Sequence, residues 1–201
     1  MGMPTTMATA QPADPAEDAG LAATAKLGDR AAFARLYERF APAVHGVLVA
    51  TAPVSEAQDL VQDVFLLALR SLPTLEDPRR FGPWLMTIAR NRARDALKKP
   101  ARTVHLPSAL EAAAVVEPEA LDARRGERGE DEPVEEEAAR ALSAIRALPA
   151  TYRETLALRL VEGLSGREIA ARTGLTHGSV RINLHRGMKL LRERLGRGGT
   201  S

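Results

Sequence analysis

Apolar side chains recur along this chain at spacings of three and four, the repeat of an amphipathic helix, and Val and Ile nowhere alternate as a strand requires. A first stripe runs through Phe33, Leu36, Tyr37, Phe40, Val44, Val47 and Leu48. It starts near Gly28-Asp29, with Asp29 as the N-cap and Pro42 as a point of bending. A second helix is predicted from Ser55, where Ser55 and Gln58 form a capping-box pattern. Leu60, Val61, Val64, Leu67 and Ala68 are its buried stripe, and Pro73 ends it. A third begins at Gly82-Pro83, since proline suits the first helical position, and runs through Trp84, Leu85 and Ile88 to Lys99, before Pro100.

Residues 101–136 break this pattern. They combine Pro107, Pro118, Gly126, Gly129 and Pro133 with many acidic residues and, apart from a short helix around 108–114, have the composition of a linker. Periodicity returns near Val134. One helix carries Ala138, Ala141, Leu142, Ile145 and Leu148; the next carries Tyr152, Leu156, Leu158, Leu160 and Val161 and ends at Gly163. A short helix over 166–173 and a long one over 177–195 follow. The expected fold is all-α: a disordered tail over 1–24, one small helical domain over 25–100, a flexible acidic linker over 101–136, and a second small domain over 137–196.

Composition narrows the function classes. Aromatic residues are only 3% of the chain, so the cores must be built from Leu, Val, Ile and Ala. Cysteine is absent, which excludes disulfides, thiolate zinc sites and cysteine nucleophiles. His45, His105, His177 and His185 show no metal-ligand spacing, so no metal or other cofactor is expected. No apolar run is long enough to span a membrane and the N-terminus lacks a signal-peptide pattern, so a cytoplasmic protein is expected. Net charge is only +2, but it is sorted: residues 111–137 are acidic, while the helix before Pro100 and the chain after Arg153 are basic. That distribution suits two nucleic-acid-facing modules on an acidic connector.

The most specific pattern is GLSGREIAARTGLTHGSVRINLHRGMKLLRERL, residues 163–195. Ser165 and Glu168 form a capping box, Gly174 suits a left-handed helix end, Leu175 plugs the corner, and Thr176 caps the next helix. Val180 and Leu184 then pack back on the first helix, which is the design of a helix-turn-helix. A helical wheel places Gly178, Ile182, His185, Arg186 and Lys189 on the outer side, with Arg181 on the flank and His177 and Ser179 in the first turn. In the third helix Thr87, Arg90, Asn91, Arg94 and Lys98 share a polar face, preceded by Arg79 and Arg80; an ordinary solvated face accounts for this helix equally well. In the second helix Leu66 and Leu69 stand among Asp59, Gln62 and Asp63 on the outer arc, either a protein-docking face or two isolated surface leucines. No nucleophile–base pair or phosphate loop is present, so an enzyme is not expected.

These motifs, in this order, resemble the extracytoplasmic-function (ECF) sigma factors of the sigma-70 family. The resemblance lies in GDRAAFARLYERF, EAQDLVQDVFLLALRSL and FGPWLMTIARNRARDALKK in one domain, and ALPATYRETLALRLVEGLSGREIAARTGLTHGSVRINLHR in the other. It implies a region 2 and a region 4, binding to the clamp helices and flap of core RNA polymerase, recognition of promoter DNA at −10 and −35, and an anti-sigma factor as a further partner. On this reading Asp59, Gln62, Asp63, Phe65, Leu66 and Leu69 face polymerase. Arg79, Arg80, Thr87, Arg90, Asn91, Arg94 and Lys98 face the −10 strand, with Asn91 at the base-capture position. Thr176, His177, Gly178, Ser179, Arg181, Ile182, His185, Arg186 and Lys189 face the −35 element. Asn183, Ile182 and Gly187 depart from the usual pattern, and Gly187 in place of alanine is expected to loosen its helix by somewhat under ~1 kcal/mol. The alternative is an autonomous helix-turn-helix regulator that would not need region 2.

Overall fold

The structure, a computed structural model, describes residues 14–98 and 132–198; the short helix expected around 108–114 lies outside them. Among the described residues there are eight α-helices and no strands: α1 (Pro15–Lys26), α2 (Arg30–Thr51), α3 (Ala57–Ser71), α4 (Phe81–Lys98), α5 (Glu132–Arg146), α6 (Ala150–Leu160), α7 (Gly166–Thr173) and α8 (His177–Gly198).

Helix α1 corrects the expectation of a disordered tail reaching residue 24. The Asp14 side chain caps it by accepting from the Ala16 and Glu17 amides, and Pro15 takes the first helical position. It is anchored on α2 by Ala22 and Ala25, both buried, and by charge. Asp18 lies 2.6 Å from Nε of the buried Arg39, and Glu17 bridges Arg39 and Arg35 at 2.8 Å each. Alanines and carboxylates carry no apolar stripe, so hydropathy periodicity passes over a helix held this way.

Helix α2 is the axis of the molecule. Asp29 caps it as expected, accepting from the Ala31 and Ala32 amides, and it continues as one helix through Pro42. Its C-terminal half is buried from Val47 through Ala50, because α3 and α4 cover one side and α6 the other. Helix α3 starts later than expected, at Ala57 after a 3-10 turn over Val54–Glu56, and no side chain caps it, so the Ser55–Gln58 box does not form. Leu67, expected in the buried stripe, is 40% exposed.

One apolar core runs from the first domain into the second. Leu158, Leu164, Ile169 and Val180 pack in the same cluster as Phe40, Val44, Leu85 and Ala89. A smaller cluster of Ile145, Leu148, Leu156, Ala157 and Leu191 includes Ala50 from α2. The two domains are therefore packed against each other.

Candidate nucleic-acid interface

The turn between α7 and α8 is built as its residues dictate. Ser165 Oγ accepts from the Glu168 amide while the Glu168 carboxylate accepts from the Ser165 amide at 2.7 Å, closing the capping box. Gly174 ends α7 in the left-handed region, φ +75°, where a side chain is strained. Thr176 Oγ1 accepts from the Ser179 amide at 3.1 Å and caps α8. Val180 is fully buried and Leu184 half-buried, so the inner side of α8 is fixed against α6 and α7. Leu175, expected to plug the corner, is 37% exposed, whereas Ile169, Thr173 and Val180 are buried.

With its inner side pinned, α8 presents Arg181, Ile182, His185, Arg186 and Lys189 to solvent, and Thr176, His177 and Gly178 at its start are exposed as well, with Ser179 half-buried. Gly187 has a structural reason. A Cβ there would come 3.0 Å from Leu156 Cδ1 and 3.2 Å from Tyr152 Cβ, so glycine lets α8 approach α6 closely, a gain set against the expected loss of helix propensity.

Thr87, Asn91, Arg94 and Lys98 are exposed along one face of α4, with Leu85 and Ala89 buried behind them. Arg94 donates to Asn91 Oδ1 at 3.3 Å, and Thr87 donates back to the Pro83 carbonyl. Arg79 and Arg80 are exposed in a 3-10 turn just before α4, Arg79 paired with Asp77 at 3.0 Å. Arg90 is half-buried and engaged by Glu154 of α6.

On α3, Leu66 and Leu69 are 52% and 45% exposed, beside the exposed Asp59 and Gln62. Asp63 is half-buried in an ion pair with Arg92. Phe65 is corrected: it is 4% exposed, in the core, with the Tyr37 ring at 4.5 Å and the Phe33 ring edge-on at 6.3 Å. Among the described residues no group of His, Asp and Glu could hold a metal, and no helix is long and apolar enough to cross a membrane.

Two family models match the chain in the order of its two domains: Sigma-70 region 2 over residues 36–103 and Sigma-70, region 4 over 138–191. The chain is 38% identical to the RNA polymerase sigma factor CarQ of Myxococcus xanthus over 84% of its own length and 92% of that protein's. It is 33% identical to the ECF RNA polymerase sigma factor RpoE of Cereibacter sphaeroides, covering 83% and 88% of the two chains. The chain belongs to the ECF sigma factors of the sigma-70 family. This sigma factor also resembles the solved structure of CnrH in complex with the cytosolic domain of CnrY, with TM-score 0.58 and 27% identity over 90% of its own chain and 98% of that one.

The sigma factor also contains contacts that sequence reasoning missed, all between its domains. His45 Nδ1 lies 2.7 Å from Glu162 Oε1, and that hydrogen bond is the main reason the imidazole pKa is raised. Arg146 donates from Nε to the Val49 carbonyl at 2.8 Å and from Nη2 to the Ala52 carbonyl. Arg172, in the first helix of the helix-turn-helix, is almost fully buried; it donates to the Arg39 carbonyl and stacks its guanidinium over the Phe40 ring at 4.8 Å. Burial pulls its pKa below the ordinary arginine value. A sequence offers no sign that one arginine among many will be buried by a distant domain.

Proposed function

We propose that this sigma factor directs RNA polymerase to promoters by reading two DNA elements with two separate helical faces, while polymerase performs the chemistry. The observation that carries the reading is α8: its inner side is locked by Val180 and the capped turn, so its cationic outer strip is held in fixed register. A major groove admits one α-helix, and in that position Arg186 donates to a guanine edge while Arg181 and Lys189 meet phosphates. The exposed Thr87, Asn91, Arg94 and Lys98 offer donors along α4 for an unpaired −10 strand, with Asn91 hydrogen-bonding a flipped base and Arg79 and Arg80 on its backbone.

Leu66 and Leu69, flanked by Asp59 and Gln62, supply an apolar patch with a polar rim for the clamp helices of polymerase, and region 4 docks on the flap. The protein is a binding factor, without catalytic residues of its own. An inhibitory anti-sigma partner belongs to the same reading, since CnrH was solved with the CnrY cytosolic domain bound. In vitro transcription with core polymerase on a promoter library tests this: a discrete set of −10/−35 sequences transcribed only when the factor is added is the expected result. Tight sequence-specific duplex binding by the free chain, with no effect on polymerase, would establish an autonomous regulator instead.

A further inference from the structure

We propose that Lys26, at the end of α1, is a positioning residue for the −10 element: it fastens the loop over residues 72–80 and so sets where Arg79 and Arg80 stand beside the α4 face. The inference rests on the promoter-binding reading above, which places those two arginines on the backbone of the −10 strand.

The chain between α3 and α4 makes two 3-10 turns, Leu72–Thr74 and Pro78–Arg80, with Leu75, Glu76 and Asp77 between them in no helix. Leu72, Leu75 and the following Phe81 are buried, so apolar side chains pin the base of the loop to the core. Its outward side carries Glu76, Arg79 and Arg80, all exposed. Buried chain outside a helical ladder leaves carbonyl groups in need of donors. For the Leu75 carbonyl a donor comes from 49 residues earlier: Lys26 Nζ, at 2.7 Å.

Helix α1 is built to deliver that amine. At its start Glu17 and Asp18 hold Arg35 and Arg39 of α2. Lys26 lies about 12 Å further along the axis, at ~1.5 Å per residue. The helix is therefore fastened at both ends, to α2 at one and to the loop at the other. Between them Ala22 and Ala25 are buried, and α1 packs against the Pro78–Arg80 turn. A lysine in the last turn favours any helix, but that role needs no particular direction of the side chain. Here the side chain is half-buried and its amine is aimed at one carbonyl of another element.

Asp77 completes the support from within the loop. Its Oδ1 accepts from the Arg79 amide at 3.0 Å, and its carboxylate holds the Arg79 guanidinium. That pair fixes Arg79 relative to the turn, while Lys26 fixes the turn relative to the core. Donors that are already in place lose less freedom when they grip a single strand than donors on a loose loop. Freeing the loop at Leu75 should therefore cost affinity for the −10 strand and leave the −35 duplex, met by α8, unaffected.

The test compares Lys26→Met, which keeps most of the stem and removes the donor, with Lys26→Arg, which keeps a donor. Each full-length variant is loaded on core polymerase and titrated with two probes. One is a single-stranded oligonucleotide carrying the −10 sequence chosen in the promoter-library experiment; the other is a duplex carrying the −35 element alone. Lys26→Met should bind the single strand about tenfold more weakly, the scale of ordering two long side chains. Its −35 affinity and its association with core polymerase should stay unchanged, and Lys26→Arg should recover most of the loss. In the free chain, deuterium uptake over residues 72–80 should rise in Lys26→Met while uptake over α7 and α8 stays the same. The decisive comparison adds Lys26→Met to Arg79→Ala with Arg80→Ala. If Lys26 acts through those arginines, the triple variant binds the single strand no worse than the double. A further tenfold loss in the triple variant, equal losses on both probes, or unchanged uptake in the loop overturns the positioning role while the promoter reading stands. Full single-strand affinity in the double arginine variant overturns the reading of the arginines themselves, and the positioning with it.

Discussion

Arg90 of α4 and Glu154 of α6 form a two-pronged ion pair between the domains, with Nε 2.9 Å from one carboxylate oxygen and Nη2 2.6 Å from the other. The pair raises the Arg90 pKa, chiefly through the hydrogen bonds, and Arg90 keeps its charge under all ordinary conditions. Because the side chains remain 36% and 20% exposed, solvent screens the attraction. A double-mutant cycle of Arg90→Met and Glu154→Gln, read by chemical denaturation, should give a coupling of about 1 kcal/mol that shrinks as salt is added. A coupling of zero at low salt would leave the attachment to the packing of Leu158 and Ile169 and to the contacts of His45, Arg146 and Arg172.

His45 makes the domain contact sensitive to pH. Its pKa is raised in the folded protein, first by the hydrogen bond to Glu162, against the opposing effect of burial. A raised histidine pKa contributes stability that is fully present below the unfolded value of about 6.5 and is lost as pH rises through the folded value. The wild-type melting temperature should therefore fall between about pH 6 and about pH 8 more steeply than that of His45→Gln. Parallel slopes for the two proteins would show that the pair contributes nothing.

On α3, neighbouring residues should separate stability from docking. Phe65→Ala empties a core site under two aromatic rings and should cost about 3–5 kcal/mol in unfolding free energy. Leu66→Glu combined with Leu69→Glu changes half-exposed positions and should leave helicity and stability nearly unchanged while abolishing association with core polymerase. Circular dichroism and a polymerase pull-down separate the two outcomes; loss of fold in the double glutamate variant would place those leucines in the core.

Specificity at the −35 element should divide between two exposed arginines of α8. Arg186→Ala should cost about 1–3 kcal/mol and relax preference at one base pair. Arg181→Ala should weaken binding evenly across sequences and make the salt slope shallower by about one. Selections on randomised −35 DNA with polymerase present compare them, and an unchanged preference with Arg186→Ala would reverse the assignment.

The amino-acid order alone was enough for several features that depend on neighbours within a few residues, but not for the Asp14 cap of α1, which was missed, or the Ser55–Gln58 box, which does not form. The α7 capping box, Gly174 in its left-handed cap and the Asp29 cap of α2 are local hydrogen-bond geometry, and the α7 limits of 166–173 follow from them. The exposed strips of α4 and α8 follow from the 3.6-residue repeat. Tertiary structure decided what depends on distant chain. Helix α1 is held by buried alanines and by Asp18 against Arg39, which leave no apolar stripe. Phe65 and Leu67 exchanged their expected environments because α2 supplies aromatic partners on only one side of α3. Arg172, Glu154 and Glu162 gained their roles from a domain that lies at least 64 residues away along the chain. Periodicity says which face of a helix is covered. What covers it, and how closely, depends on side-chain volumes and charges that meet only once the chain is folded, as at Gly187.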